Sequence, residues 1–255
     1  MRVVVVRHHE EDSAGFIGAA FEARGADLAV HMFPGDGPLP AFDDIDHVVV
    51  LGATWSVYDS CPARSWIADE LAWLRRADEA GVPVLGICFG AQMLTAAFGG
   101  DVRAAERKEI GWTVVDSLDH ELIPPGPWLE FHGDLCLPPS HARLLAHNEV
   151  GPQAFSLGRH LAVQFHPEVD GSQLGLWLDA GGRDEIAREG HDPDHLLART
   201  VSEEPASRDR ADRLVASAFL IAQAALAVSP PAVSLLAVTP PAVSPPTVSL
   251  PRRIG

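Results

Sequence analysis

Cys88 and the pair His166 and Glu168 are the residues of this chain whose types and spacing could do covalent chemistry. Cys88 lies in Val82-Pro-Val-Leu-Gly86-Ile-Cys88-Phe-Gly90-Ala-Gln92, two positions from a glycine on either side. An apolar run precedes it, and Ala91 to Phe98 has the composition of a helix start. Strand, sharp turn and helix read together as a nucleophile elbow of the Gly-x-Ser-x-Gly type, with a thiol replacing the hydroxyl. The glycines permit a turn and close packing that a side chain would block. Such an elbow aims the sulfur along a helix N-terminus, whose partial positive charge stabilises a thiolate. The plainer alternative is a small buried cysteine in a strand–turn–helix connection.

His166 and Glu168 end a second apolar run, Leu161-Ala-Val-Gln164-Phe165-His166-Pro167-Glu168. Side chains two apart on a strand point the same way, so Glu168 can accept from one imidazole nitrogen while the other faces a thiol. Nucleophile, base and orienter in that order are the parts of acyl-transfer catalysis. The His-x-acid pattern by itself says little, because His8/Glu10, His9/Glu11, His132/Asp134 and His147/Glu149 also satisfy it. Its place at the end of a buried strand, downstream of the cysteine elbow, sets the pair at His166 apart.

The elements that must position these groups alternate. Val3–Val6, Asp27–Met32 and Val48–Leu51 read as short strands; Ala14–Arg24 and Arg64–Ala80 carry helical apolar spacing, the first ended by Gly25. Alternating strands and helices imply parallel pairing in an α/β, doubly wound, mostly parallel sheet flanked by helices. Ligands bind such sheets at the carboxyl ends of strands, which selects the loops after Leu51, Ile87 and Phe165. After Gly100 the pattern changes to shorter strands and Pro/Gly turns, a hairpin-rich half that returns His166 to the cleft. Asp209–Ala227 reads as a packed C-terminal helix; its uncharged part, 214–228, is too short for a membrane span of about 20 residues. One domain over residues 1–227 is expected, followed by a Pro/Ala/Val/Ser-rich tail, 228–255, in extended or disordered form.

The 255 residues suffice for a substantial core, and a formal charge of −16 argues against a phosphate-backbone partner such as nucleic acid. Three cysteines, Cys61, Cys88 and Cys136, give neither a disulfide framework nor a metal spacing. Neither Cys61 nor Cys136 sits in an elbow. The start, Met1 to Arg7, is a short strand and not a secretory signal, so a reducing cytoplasm is the expected compartment. His8-His9-Glu10-Glu11-Asp12 and His191-Asp-Pro-Asp-His195 offer metal-type side chains but lack matching partners, and read as solvated loops; no metal or cofactor is expected.

Gly86-Ile-Cys88-Phe-Gly90-Ala-Gln92 and Gln164-Phe-His166-Pro-Glu168 resemble the two signatures of the class I glutamine amidotransferases. Glu109-Ile-Gly-Trp112 and His132-Gly-Asp134 resemble segments of that family's GMP-synthase-like branch, and the likeness runs from about Arg2 to Ala227. The resemblance implies a flavodoxin-like fold with Cys88 as nucleophile, His166 as base and Glu168 as orienter. It implies an oxyanion hole from the backbone N–H of Phe89 and, in a turn that is Gly-Gly-Pro-like in the family, of Ala53. Here that turn is Gly52-Ala53-Thr54; an alanine forced to positive φ would be strained by about 1 kcal/mol or more. Gln92, Gly133 and Asp134 fall where the family's loops hold the glutamine head group, although Asp134 also fits a turn cap and His132 a loop hydrogen-bonder.

The leading expectation is a free-standing glutaminase that passes ammonia to a separate synthetase. A γ-glutamyl hydrolase acting on γ-glutamyl amines would use the same thioester chemistry, with Trp55, Tyr58 and Trp112 as candidates to hold an apolar amine. A non-catalytic binding or regulatory member is the third reading, supported only by the altered Gly52-Ala53-Thr54 turn.

Overall fold

A computed structural model describes residues 1–59 and 65–228. The first half supplies β1 (Arg2–Arg7), β2 (Asp27–Met32), β3 (His47–Val50) and β4 (Val84–Ile87). The second supplies β5 (Asp101–Val114), β6 (Asp116–Ser117), β7 (Pro127–Leu137), β8 (Arg143–His147), β9 (Pro152–Leu157) and β10 (His160–Val163). Eight strands form one sheet in the order β2-β1-β3-β4-β10-β9-β8-β6, while β5 and β7 pair as a separate ribbon. Pairing is parallel from β2 through β10 and antiparallel from β10 through β6. The doubly wound, mostly parallel sheet read from the sequence is the one found.

Alternation in β1 divides the core. Val3 and Val5 pack with α1 (Gly15–Glu22) and α6 (Pro193–Val228), among Phe16, Ile17, Leu214 and Val215. Val4 and Val6 face α2 (Trp66–Glu79) and α3 (Phe89–Ala97), among Ile67, Trp73, Leu74 and Met93. β1 is thus apolar on both faces, as a strand covered by helices on both sides requires. A third cluster joins Ile110, Trp112 and Leu129 of the β5–β7 ribbon to α4 (Gly171–Trp177), α5 (Arg183–Arg188) and α6.

Two expectations change in extent. The second half is hairpin-rich, but β5 has 14 residues and β7 has 11, longer than the short strands expected. The helix expected over Asp209–Ala227 begins at Pro193, and Pro205 lies inside it. Pro193 needs no N–H acceptor at a first helical position. Asp192 caps that end by accepting from the N–H groups of Asp194 and His195 at 2.9 and 3.2 Å. Among the described residues no helix is long and apolar enough to cross a membrane. Cys61 and, beyond Val228, the Pro-rich tail lie outside the described residues.

Candidate active site

Three adjacent parallel strands deliver the site. Gly52 follows β3, Cys88 follows β4 and His166 follows β10, all at carboxyl ends. Cys88 holds φ +52°, ψ −104°, and is the one non-glycine with positive φ among the described residues. That strain marks an elbow held in place by its surroundings. A Cβ at Gly90 would lie 2.2 Å from the Val50 carbonyl oxygen, and one at Gly86 would lie 2.5 Å from that of Gly90, so neither position admits a side chain without backbone movement. The Cys88 N–H donates to the Val163 carbonyl at 2.9 Å, which ties Cys88 to the strand that leads to His166.

His166 is buried, its N–H donating to Leu129 O of β7 at 2.8 Å, and Phe165 before it stacks on Trp128 with ring centroids 4.3 Å apart. The long β5–β7 ribbon therefore returns the histidine to the cleft. His166 Nδ1 donates to Glu168 Oε1 at 2.7 Å, both side chains buried. Burial opposes charge on the ring, but Glu168 and Cys88 beside it outweigh burial and hold its pKa well above the ordinary value. The Glu168 carbonyl accepts from the N–H of Phe16 at 3.0 Å, so α1 fixes the backbone of Glu168.

Phe89 is the first residue of α3, so its N–H has no intrahelical acceptor. Ala53 does not have positive φ, and the strain considered for that turn does not arise. Gly52 approaches the His166 ring closely: a Cβ there would stand 3.0 Å from His166 Cε1.

A cavity of about 710 Å³ opens over Cys88 and His166, lined also by Ala53, Gln92, Gly133 and Asp134. The Asp134 carboxylate does not cap a turn. It accepts from the hydroxyls of Ser56 and Tyr58, each at 2.6 Å, while Gln92 Oε1 accepts from the N–H of Val57 at 3.2 Å. Both residues thus tie down the loop that follows Gly52. Trp55 and Tyr58 line the cavity; Trp112 does not, being buried with its indole N–H donated to Thr200 at 2.9 Å.

Sequence reasoning missed several wall residues. The segment read as a solvated loop, His8 to Asp12, instead carries His9, Glu11 and Asp12 into the cavity wall and buries His8 completely beneath it. Trp177 lies edge-on to His166 at 5.0 Å and donates to Asp12 Oδ1 at 3.0 Å; burial raises the pKa of Asp12 despite that bond. Only the position of Asp12 past the carboxyl end of β1 could have signalled it. His191 and His195 are exposed, as expected. Cys136 is buried in the core with its thiol donated to Gln164 Oε1 at 3.0 Å, and burial pushes its pKa up.

The metal-type cluster found among the described residues is a different one: Glu109, Glu130 and His132. His132 Nδ1 donates to Asp134 O at 3.0 Å, and Nε2 stands 3.2 Å from one oxygen of each glutamate. Burial opposes its charge, yet the two glutamates raise its pKa to about 10. Glu109 already accepts from Asn148 and Gln153 at 2.6 and 2.7 Å. His132 carries the one positive charge between two carboxylates, part-buried Glu109 and fully buried Glu130, whose pKa burial raises; the three form an ion-pair network beside the cavity, and His132 is not the simple loop hydrogen-bonder considered.

Comparison with known proteins agrees with this geometry. The chain is 31% identical over 157 residues to a subunit of the glutamine-hydrolyzing GMP synthase of Sulfolobus acidocaldarius, covering 58% of this chain and 80% of that one. To the glutamine-hydrolyzing GMP synthase of Aeropyrum pernix it is 35% identical over 138 residues, 46% of this chain but 27% of the longer protein. The crystal structure of a glutamine amidotransferase from Thermotoga maritima superimposes with a TM-score of 0.78 at 25% identity, covering 86% of this chain and 97% of the other. Residues 17–177 match the family description "Glutamine amidotransferase class-I". With that match across more than half its length, the chain belongs to the class I glutamine amidotransferases, of the GMP-synthase-like type.

Proposed function

We propose that this protein hydrolyses the side-chain amide of glutamine through a thioester on Cys88 and delivers the ammonia to a separate synthetase. The observation that carries the reading is the buried Glu168–His166 hydrogen bond of 2.7 Å beside a cysteine held at φ +52° on a helix N-terminus. The Cys88 sulfur attacks the amide carbon, and the carbonyl oxygen takes negative charge, met by the N–H groups of Phe89 and Ala53. His166 gives its proton to the departing nitrogen, so ammonia leaves and a γ-glutamyl thioester remains. Water then loses a proton to His166 and attacks the thioester, and glutamate and the free thiol are released. Glu168 holds the imidazole tautomer and supports its charged form. Asp134 and Gln92, with the Gly133 backbone, form the head-group wall. The partner is inferred from the similarity to the Sulfolobus acidocaldarius protein, which is one part of a GMP synthase built from separate chains.

A second reading has its own support. A cavity of about 710 Å³ exceeds what one amino acid fills, and Trp55, Tyr58, Trp177 and Asp12 give it aromatic and acidic walls suited to an amine leaving group. Glutamate release from glutamine and from a panel of γ-glutamyl amines, with Cys88→Ala as control, separates the two. Cys88-dependent preference for glutamine supports the amidotransferase; turnover of the amines well above glutamine supports the γ-glutamyl hydrolase. Glutamate release from glutamine by Cys88→Ala at the wild-type rate would overturn both.

A further inference from the structure

His8 and Glu70 form a buried pair that the reaction steps do not use. Both side chains are fully buried, and His8 Nε2 stands 3.0 Å from Glu70 Oε2. The ring is stacked on Trp66 at 5.4 Å and set edge-on to Phe89 at 5.0 Å, so it has one orientation. Its other nitrogen, Nδ1, lies 3.3 Å from the carbonyl oxygen of Gly52. A carbonyl oxygen can only accept, so Nδ1 carries the hydrogen.

Gly52 C=O and Ala53 N–H belong to one peptide unit, and in a trans peptide they point in opposite directions. His8 lies beneath the turn, while Ala53 lines the cavity over Cys88. A carbonyl pulled down to His8 therefore turns the Ala53 N–H up into the cavity. Gly52 has no side chain to resist rotation of this peptide, and a Cβ there would press on the catalytic ring at 3.0 Å. The carbonyl needs an external holder, and Glu70 from α2 fixes that holder's far nitrogen.

We infer that His8, braced by Glu70, is the positioning residue that keeps the Gly52–Ala53 peptide turned so that the Ala53 N–H completes the oxyanion hole. The inference rests on the thioester chemistry proposed above. It assigns the work of a backbone orientation to one side chain at the end of β1, on the far side of β3 from the nucleophile. His8 touches neither substrate nor sulfur; it acts through the peptide.

The test compares wild type with His8→Phe/Glu70→Leu, which keeps an aromatic shape and leaves no buried carboxylate unpaired, and with His8→Asn, which keeps a donor. Three readouts are taken: kcat and KM for glutamine, and the rate at which iodoacetamide alkylates Cys88, a reaction that needs no oxyanion hole. Losing one oxyanion donor costs roughly a hundredfold in kcat. The double variant is expected to lose about that factor with KM within about threefold and alkylation unchanged, while His8→Asn recovers to within about tenfold of wild type. If the double variant fails to fold, His8→Phe alone is read against His8→Asn by the same three measures. A kcat within about threefold of wild type overturns the inference. So does a fall in kcat matched by an equal fall in alkylation rate, because the sulfur and not the peptide would then be disturbed. A wild type that releases no glutamate, from glutamine or from γ-glutamyl amines, overturns the parent reading instead, and is told apart because the loss is then present before any change at His8 or Glu70.

Discussion

Replacing Glu168 by glutamine removes one charge from the site and little else. The amide oxygen can still accept from His166 Nδ1, now 2.7 Å from a carboxylate oxygen, so the ring keeps its direction. What is lost is the charge in a buried hydrogen bond, both partners being almost wholly screened from water. A hydrogen bond to a charged group contributes about 1.5–3 kcal/mol against about 1 for a neutral one, and each ~1.36 kcal/mol is a factor of ten in rate, so kcat/KM should fall roughly 2- to 30-fold. The pH profile should move as well. Glu168 is among the groups that raise the His166 pKa, and the ring must carry a proton to release ammonia. Without the carboxylate the basic limb of kcat/KM shifts to lower pH. Glutamate release by wild type and Glu168→Gln across the neutral and alkaline range reads both effects. A kcat/KM equal to that of wild type, with the basic limb unmoved, would refute the reasoning.

Three more outcomes follow from other contacts. Gly15 has φ +43°, and a Cβ there would fall 1.9 Å from the Glu168 carbonyl oxygen, so Gly15→Ala must displace the orienter's backbone. About a hundredfold loss of kcat is expected from a displacement near 1 Å, with a lowered Tm; unchanged kcat would count against the role given to α1. Asp134→Asn should raise KM for glutamine about tenfold or more while kcat stays within threefold, because the carboxylate charge proposed to meet the substrate's ammonium goes, while the amide keeps its oxygen for one of the Ser56 and Tyr58 hydroxyls and turns its NH2 to the oxygen of the other; an unchanged KM would remove Asp134 from the binding wall. His132 has its pKa raised from 6.5 to about 10, so its charged form contributes stability that is full below about pH 6.5 and is lost as pH rises through about 10. Urea unfolding at increasing pH should show that loss in wild type and a smaller one in Glu130→Gln; equal slopes would contradict the ion-pair account.

The elbow was legible in the sequence because its causes are local. Gly86, Cys88 and Gly90 stand within five residues, and the steric reasons for both glycines lie in β3 and in the turn itself. Glu168 was legible beside His166 for the same reason. What escaped is built from distance. His8 is buried by Glu70, 62 positions away, and a run of five polar residues gives no sign of that. Trp177 and Asp12 meet from elements 165 positions apart. Pro205 hid the first half of α6, since proline normally ends a helix, and the true start is marked by the Asp192 cap. The length of β5 was obscured by its many exposed polar residues, and that of β7 by Glu130, His132 and Asp134, polar residues buried within the ribbon that break its apolar pattern.

Cys88 is proposed as the nucleophile toward a γ-glutamyl carbonyl. That role is tested most directly with a diazoketone analogue of glutamine, which alkylates a thiolate at the position of the amide and loses dinitrogen. One equivalent of label per chain is expected, mapped by peptide mass to Cys88, absent from Cys136, slowed by glutamine and abolished in Cys88→Ala. Label on another residue, or stoichiometric inactivation that persists in a chain lacking Cys88, would contradict it.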